Sequence, residues 1–372
     1  MSEEIVKIDG DSNNGGGQIV RIAVCLSALY KIPIQIINIR RGLSKSGLRE
    51  QHLRGVNLIK EMCDAEVTGA YLGSPYLLFK PGVLQHKSDE YVANIKTAGC
   101  ICLLIQIILP CALFLSKSTT YILKGGTNVP LGPQVEYFKN VFRPFLRRFG
   151  ADFQLDVIRR GYYPDGGGEV RLHVTPVHHL NGIELLDPGV PVDIKGWSFA
   201  AGCVKINEAK QLTRDTTDII AKELSKLNIP MPPINIITYK EPRNGTVGNG
   251  YGINIMCKTT TNCIFGGSGL SARLFVTDPA SSAASELINP ISTNSCVDLF
   301  LKDQMIIFMA LAKGHSKVNV GNLPITPHTQ RAKEVAETML FKKGIVFNLR
   351  RYMDNSYVLE CDGAGYTNNY LN

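Results

Sequence analysis

No hydrophobic run in this 372-residue chain reaches the roughly 20 apolar residues that a membrane-spanning helix needs. The nearest candidate, residues 100–115 (CICLLIQIILPCALFL), is shorter and is interrupted by Gln106 and Pro110, so it reads as a buried helix. Ten cysteines are present, but none form a CxxC pair, which argues against a zinc module. Several sit inside apolar helix or strand patterns, as reduced core thiols do, and not in the spacing of a secreted disulfide framework. A Walker lysine, a spaced GxGxxG fingerprint, HExxH and a Ser-His-Asp elbow are all missing, which disfavours the commonest nucleotide, metallopeptidase and hydrolase chemistries. A single tryptophan and no interleaving of aromatic with basic residues leave no stacking platform for single-stranded nucleic acid. The opening stretch MSEEIVKIDG is acidic and then strand-like, unlike a signal or transit peptide.

What is present supports a large core: 44% of residues are hydrophobic and 19% charged. The net charge of +8 is mild, but its distribution is uneven. Arg40, Arg41, Lys45, Arg49 and Arg54 crowd one segment, and Arg143, Arg147, Arg148, Arg159 and Arg160 another. Both groups lie near glycine-rich turns, where phosphate binding or a solvated helix face would look alike.

A repeat lies in the pattern of the chain: apolar helix, short strand, glycine or proline turn, second helix, strand. The first copy has helices at 17–30 and 48–62, the second at 98–115 and 133–149, the third at 297–312 and 328–341. The second helix meets its following strand at Ala65, Ala151 and Ile345, intervals of 86 and 194 residues. The excess of 108 residues is one small domain, placed at 182–285 with its own strands, an amphipathic helix at 207–227 and a hairpin. The expected organisation is therefore a core at 1–181 (repeats one and two), an inserted α/β domain at 182–285, and repeat three at 286–372. Helices alternating with strands give an α/β layered fold.

Three glycine loops recur, at 10–17, 125–133 and 162–170, each fit to be a tight turn or a phosphate cradle. Among seven histidines, His328 is distinctive, because ITPHTQRA places it at a helix start behind Pro327. There the helix dipole disfavours the imidazolium and attracts phosphate, which suits a neutral nitrogen attacking phosphorus, although a packing role is also open. Asp303 and Gln304 open an apolar helix, either as caps or as ligand-site residues, and Gln106 is the one polar side chain of its helix.

The segments IDG…GGGQIVR, GLREQHL, KTAG…LLIQ, LKGGTN…PQVEYF, RRGYYPDGGGEV, GNGYGI, KDQMIIFMALA and HTQRA resemble, in order, the motifs of the RNA 3′-terminal phosphate cyclase family. The resemblance runs over nearly the whole chain. It implies three repeated units, each a four-stranded sheet with two helices, of the type shared with enolpyruvyl transferases, plus a small inserted α/β domain. It implies ATP-dependent conversion of an RNA 3′-phosphate to a 2′,3′-cyclic phosphate, with a divalent magnesium or manganese ion. His328 then matches the histidine that becomes adenylylated. Gln106, Pro133, Phe300, Asp303 and Gln304 match ATP contacts, and Arg21, Arg40, Gln51 and His52 match phosphate- or RNA-binding positions. The resemblance also suggests a nuclear protein.

The sequence departs from the family pattern at three places. Asn14 stands where an acidic residue helps hold the metal, Leu43 where an arginine meets phosphate, and Phe300 where a tyrosine is usual. The first two substitutions remove charge, so slow adenylylation is expected. The competing reading is a weakened or inactive cyclase-like RNA-binding protein acting in RNA processing or ribosome assembly, against which the retained His328 argues.

Overall fold

The computed structural model describes residues 4–11, 16–271, 278–352 and 355–371. The chain forms a mixed α/β fold with three helix-and-sheet units and an inserted one. In the first sheet, Val6–Asp9 runs parallel to Ile34–Ile37, followed by Leu77–Lys80 and Glu66–Thr68. The second places Thr246–Val247, Phe153–Gly161, Gly168–Val174, Thr119–Gly125 and Glu90–Asn94 side by side. The third has Phe347–Arg351, Tyr357–Ala364, Lys313–Gly321 and Glu184–Leu185. Residues of 119–125 alternate strictly between buried and half-buried, the period of two that a sheet lying on helices imposes.

The helices face one another. Gly16–Tyr30 packs on Glu50–Cys63, Ile101–Ala112 and Pro327–Met339, and Leu299–Leu311 packs on Pro327–Met339 and Ile101–Ala112. Ile101–Ala112 buries ten of its twelve residues and Leu299–Leu311 ten of thirteen, as helices apolar all round must. One continuous core runs through all three units, with Phe138, Phe142, Phe149 and Phe153 among its largest side chains. Each such burial contributes about 1.5–3 kcal/mol. No described helix is long and apolar enough to cross a membrane.

The helix expected at 133–149 is broken into Val135–Tyr137, a π turn at Phe138–Phe142 and Arg143–Arg148. Pro144 explains the break: it has no N–H for the carbonyl four residues back, and the wider turn lets Arg143 N–H reach Phe138 O.

The insert has its own sheet, Ile234–Lys240, Pro191–Ala201, Gly250–Thr259 and Ile264–Leu270, and a separate core. Ile206–Lys226 and Pro279–Ser292 cover it. Residue 285, the expected end of the insert, falls inside the second of these helices. Its start was readable in the sequence: Asp278 accepts from Ser281 N–H at 2.9 Å and Pro279 follows, a cap and a first-turn proline. Near the entry to the insert, Glu184–Leu185 forms an edge strand against Lys317 and Val318.

Candidate active site

Helix packing brings Arg21, Gln106, Asp303 and Gln304 to one small cavity of about 30 Å³, with Gln18 beside them. Asp303 is not a cap. Asp298 takes that role, its carboxylate accepting Leu301 N–H at 2.9 Å, which leaves Asp303 free to face Arg21. Desolvation pushes the Asp303 carboxyl up to about 7, against the pull of Arg21 and a hydrogen bond donated by Gln18. Desolvation likewise brings Arg21 down to about 10, with Asp303 opposing it. Gln18 Oε1 and Gln304 Oε1 are buried and find no hydrogen-bond partner among the described residues. Buried oxygens left unpaired are costly, so a donor from outside the chain, water or ligand, is favoured here. Gln18 escaped the sequence reading, which took GGGQ only for its glycines.

His328 is the second residue of Pro327–Met339, exposed at the helix end. The cap is Thr326, whose Oγ1 accepts Thr329 N–H at 3.1 Å, so the imidazole is not used for capping. Partial desolvation, and then the Arg21 charge, hold His328 below the ordinary imidazole pKa. The ring is a neutral base at neutral pH, facing the same arginine as Asp303.

A second group lies at the start of the Gly16–Tyr30 helix, beside Arg21. Arg49 N–H donates to His52 Nδ1 at 3.2 Å. This fixes the tautomer, so Nε2 carries the proton. That nitrogen is buried and unpartnered among the described residues, and a Cβ on Gly17 would stand 2.6 Å from it. Burial, with Arg21, Arg40 and Arg49 around it, keeps His52 well below the usual pKa. Arg40 crowds Gly16 in the same way, 2.6 Å from a would-be Cβ, and its Nε is also without a partner there. A helix start bare of side chains, flanked by a buried neutral donor and a guanidinium, fits a phosphate.

The other expected residues lie around these two groups. Gln51 Oε1 accepts Cys100 N–H at 3.1 Å and ties the second helix to the third. Pro133 is buried, and its carbonyl accepts Cys100 Sγ–H at 3.4 Å. Phe300 sits edge-to-face on Tyr137, ring centres 5.3 Å apart. Asn14 lies outside the described residues. Among the described residues no group of three or more His, Cys, Asp or Glu side chains could hold a metal ion.

Two expectations resolve differently. The glycine loops at 125–133 and 162–170 pack on each other: a Cβ on Gly161 would stand 2.2 Å from Gly168 N and 2.6 Å from Gly125 O. They are tight turns. The basic group at 143–160 is largely taken up by internal partners. Arg143 and Arg147 both bind Asp152, at 2.6 and 2.8 Å, and Arg160 binds Glu136 and, at 3.3 Å, Glu241.

Comparison with known proteins decides the family. The family model described as RNA 3′-terminal phosphate cyclase matches residues 12–345. The chain belongs to the RNA 3′-terminal phosphate cyclase family. It is similar to the RNA 3′-terminal phosphate cyclase of Drosophila melanogaster, 34% identical over 371 residues, covering 100% of this chain and 99% of the relative. The relative from Pyrobaculum aerophilum is 34% identical over 97% of this chain and 99% of its own length. The protein named probable RNA 3′-terminal phosphate cyclase in Dictyostelium discoideum is 33% identical over 98% of this chain and 84% of its own. Membership places the chain in an enzyme family, as its motifs imply, and the mixed α/β fold agrees with it.

Proposed function

We propose that this protein uses ATP to convert the 3′-terminal phosphate of RNA to a 2′,3′-cyclic phosphate, with His328 as nucleophile. The observation that carries the reading is a neutral, exposed His328 that feels the charge of Arg21, an arginine that itself lines the cavity with the unpaired amide oxygens.

In this reading His328 attacks the α-phosphorus of ATP. An N–P bond forms as the bond to pyrophosphate breaks, and the ring's other nitrogen loses its proton to solvent. An oxygen of the RNA 3′-phosphate then attacks the same phosphorus, and His328 leaves as neutral imidazole after its other nitrogen regains a proton from solvent. The adjacent 2′-OH closes on the RNA phosphorus and expels AMP. The logic is that of activation: a phosphate monoester has a poor leaving group, and AMP is a good one. Gln18, Gln106, Asp303 and Gln304 would hold the nucleotide, with Pro133 and Phe300 nearby. Arg40 and the Nε2–H of His52 would grip the RNA phosphate. A divalent magnesium or manganese ion, when bound, would neutralise the nucleotide phosphates, with Asn14 as the candidate ligand, and no step is routed through it. Action in the nucleus is part of the proposal, and imaging of the tagged full-length chain tests it.

The decisive experiment incubates the protein with ATP radioactive in either the α- or the γ-phosphate. Retention of the α label alone, acid-labile and alkali-stable, is the expected result. Binding of 3′-phosphorylated RNA without label would favour a non-catalytic RNA-binding protein. Cyclic product from RNA ending in 3′-OH would overturn the mechanism.

A further inference from the structure

Cys263 precedes the strand Ile264–Leu270 of the insert, and Cys296 lies just ahead of the helix Leu299–Leu311. Both thiols are buried, 3% and 2% exposed, yet both line a cavity of about 310 Å³ shared with Arg148, Lys258 and Asn262. The cavity is far larger than a water and has ample room for a peroxide. The two sulfurs interact directly, the Cys296 S–H donating to Cys263. Thr261 Oγ1 donates to the Cys263 sulfur at 3.7 Å. When protonated, that thiol in turn points at the Asp187 carbonyl, 3.8 Å away. Arg148 is anchored beside the pair by a bond to Asn262 O at 2.5 Å, and its charge favours a Cys263 thiolate.

The two thiols are therefore unequal. The Cys296 bond, followed by the threonine and Arg148, brings Cys263 down to about 7, while the same bond and burial push Cys296 up. One is an attacking sulfur and the other a resolving one.

We propose that Cys263 and Cys296 form a reversible peroxide-oxidised pair that closes to a disulfide within the insert's core, tying the start of the strand Ile264–Leu270 to the segment that leads into the helix Leu299–Leu311. The Cys263 thiolate attacks one oxygen of hydrogen peroxide and breaks the O–O bond. Hydroxide leaves and takes up a proton to become water, and Cys263 becomes a sulfenic acid. The Cys296 sulfur attacks the Cys263 sulfur, forming the S–S bond. The departing hydroxide takes the Cys296 proton as a second water, so two thiols and one peroxide give one disulfide and two waters.

The test treats the folded full-length protein with hydrogen peroxide, from substoichiometric to a small excess. The free thiols are then blocked with N-ethylmaleimide under denaturing conditions, and non-reduced peptides are mapped by mass spectrometry. The expected result is a 263–296 linked peptide that disappears after dithiothreitol, formed before exposed Cys203 is oxidised. In Cys296→Ser, Cys263 stops at the sulfenic acid and is trapped by dimedone. In Cys263→Ser, Cys296 gives no dimedone adduct. Oxidation of Cys203 with residues 263 and 296 still fully alkylated would overturn the proposal, as would a dimedone adduct on Cys296. The wild-type map decides the question even if a variant folds poorly.

Discussion

Tyr137 donates its hydroxyl to the buried Asp298 carboxylate at 2.6 Å, joining residues 161 positions apart. The same carboxylate accepts from Gly266 N–H at 2.9 Å and caps the helix that carries Phe300, Asp303 and Gln304. One side chain thus sets the candidate nucleotide site against both the second repeat and the insert. Tyr137→Phe should lower stability by about 1–3 kcal/mol, since it strips a donor from a buried acceptor. Urea denaturation measures the loss, and an unchanged midpoint would show that the bond contributes nothing.

His328→Ala is expected to abolish covalent AMP labelling and leave stability within about 0.5 kcal/mol, because the side chain is exposed and its helix is capped by Thr326. Scintillation counting of the precipitated protein, with a thermal melt as control, checks both parts. Full labelling of the variant would remove His328 from the mechanism.

Buried His52 gives a pH signature. Its folded pKa is depressed, so its contribution to stability is fully present above the ordinary imidazole value of about 6.5. As pH falls from there toward the folded value, only the unfolded chain takes up the proton. Stability then declines by as much as about 1.4 kcal/mol per pH unit. The loss between pH 7 and 5 should therefore be smaller in His52→Gln, by up to about 2 kcal/mol. An equal acid loss in both proteins, read from urea titrations, would contradict the assignment.

Arg160 lies between Glu136 and Glu241, with Tyr162 and Tyr239 donating to Glu241 at 3.3 and 3.2 Å. Arg160→Leu would leave two mostly buried carboxylates facing one another, and a loss of about 3–5 kcal/mol is expected. Arg160→Lys should recover only part of it, since a point charge cannot bridge both acids as the guanidinium fork does. Denaturation of the three proteins in parallel provides the comparison.

The departures at residues 14 and 43 have their own test. Asn14→Glu should raise the labelling rate about tenfold and lower the magnesium requirement, and adding Leu43→Arg should raise the rate again. Leu43 follows Arg40 in a turn, its N–H donating to the Arg40 carbonyl at 3.1 Å. If Asp11 already serves the metal and Arg41 or Lys45 the phosphate, neither substitution will change the rate or the metal requirement, and labelling kinetics against magnesium or manganese decide it.

The sequence revealed whatever depends on local pattern. The apolar stretch at 101–112 and the Pro327–His328 helix start each lie within a short window of the chain, and the repeat is a succession of such windows. The rest required partners that are distant in sequence. Nothing near Arg160 announces Glu241, and nothing near Tyr137 announces Asp298. GGGQ looked the same whether Gln18 was packing or binding, and three glycine loops looked alike until Arg40 and His52 were seen beside only one of them.

The strand Thr246–Val247 belongs by sequence to the insert but pairs in parallel with Arg160 and Gly161, and so forms one edge of the second repeat's sheet. At the other end, Glu184–Leu185 edges the third. The insert is therefore not a detachable cassette. A shortened gene joining the flanking repeats directly would uncover Arg160 and Gly161 at the end of the 153–161 strand and lengthen its open edge, whose free N–H and C=O groups would seek the same strand of another molecule. Its expected product is insoluble, although the three-unit core would be complete.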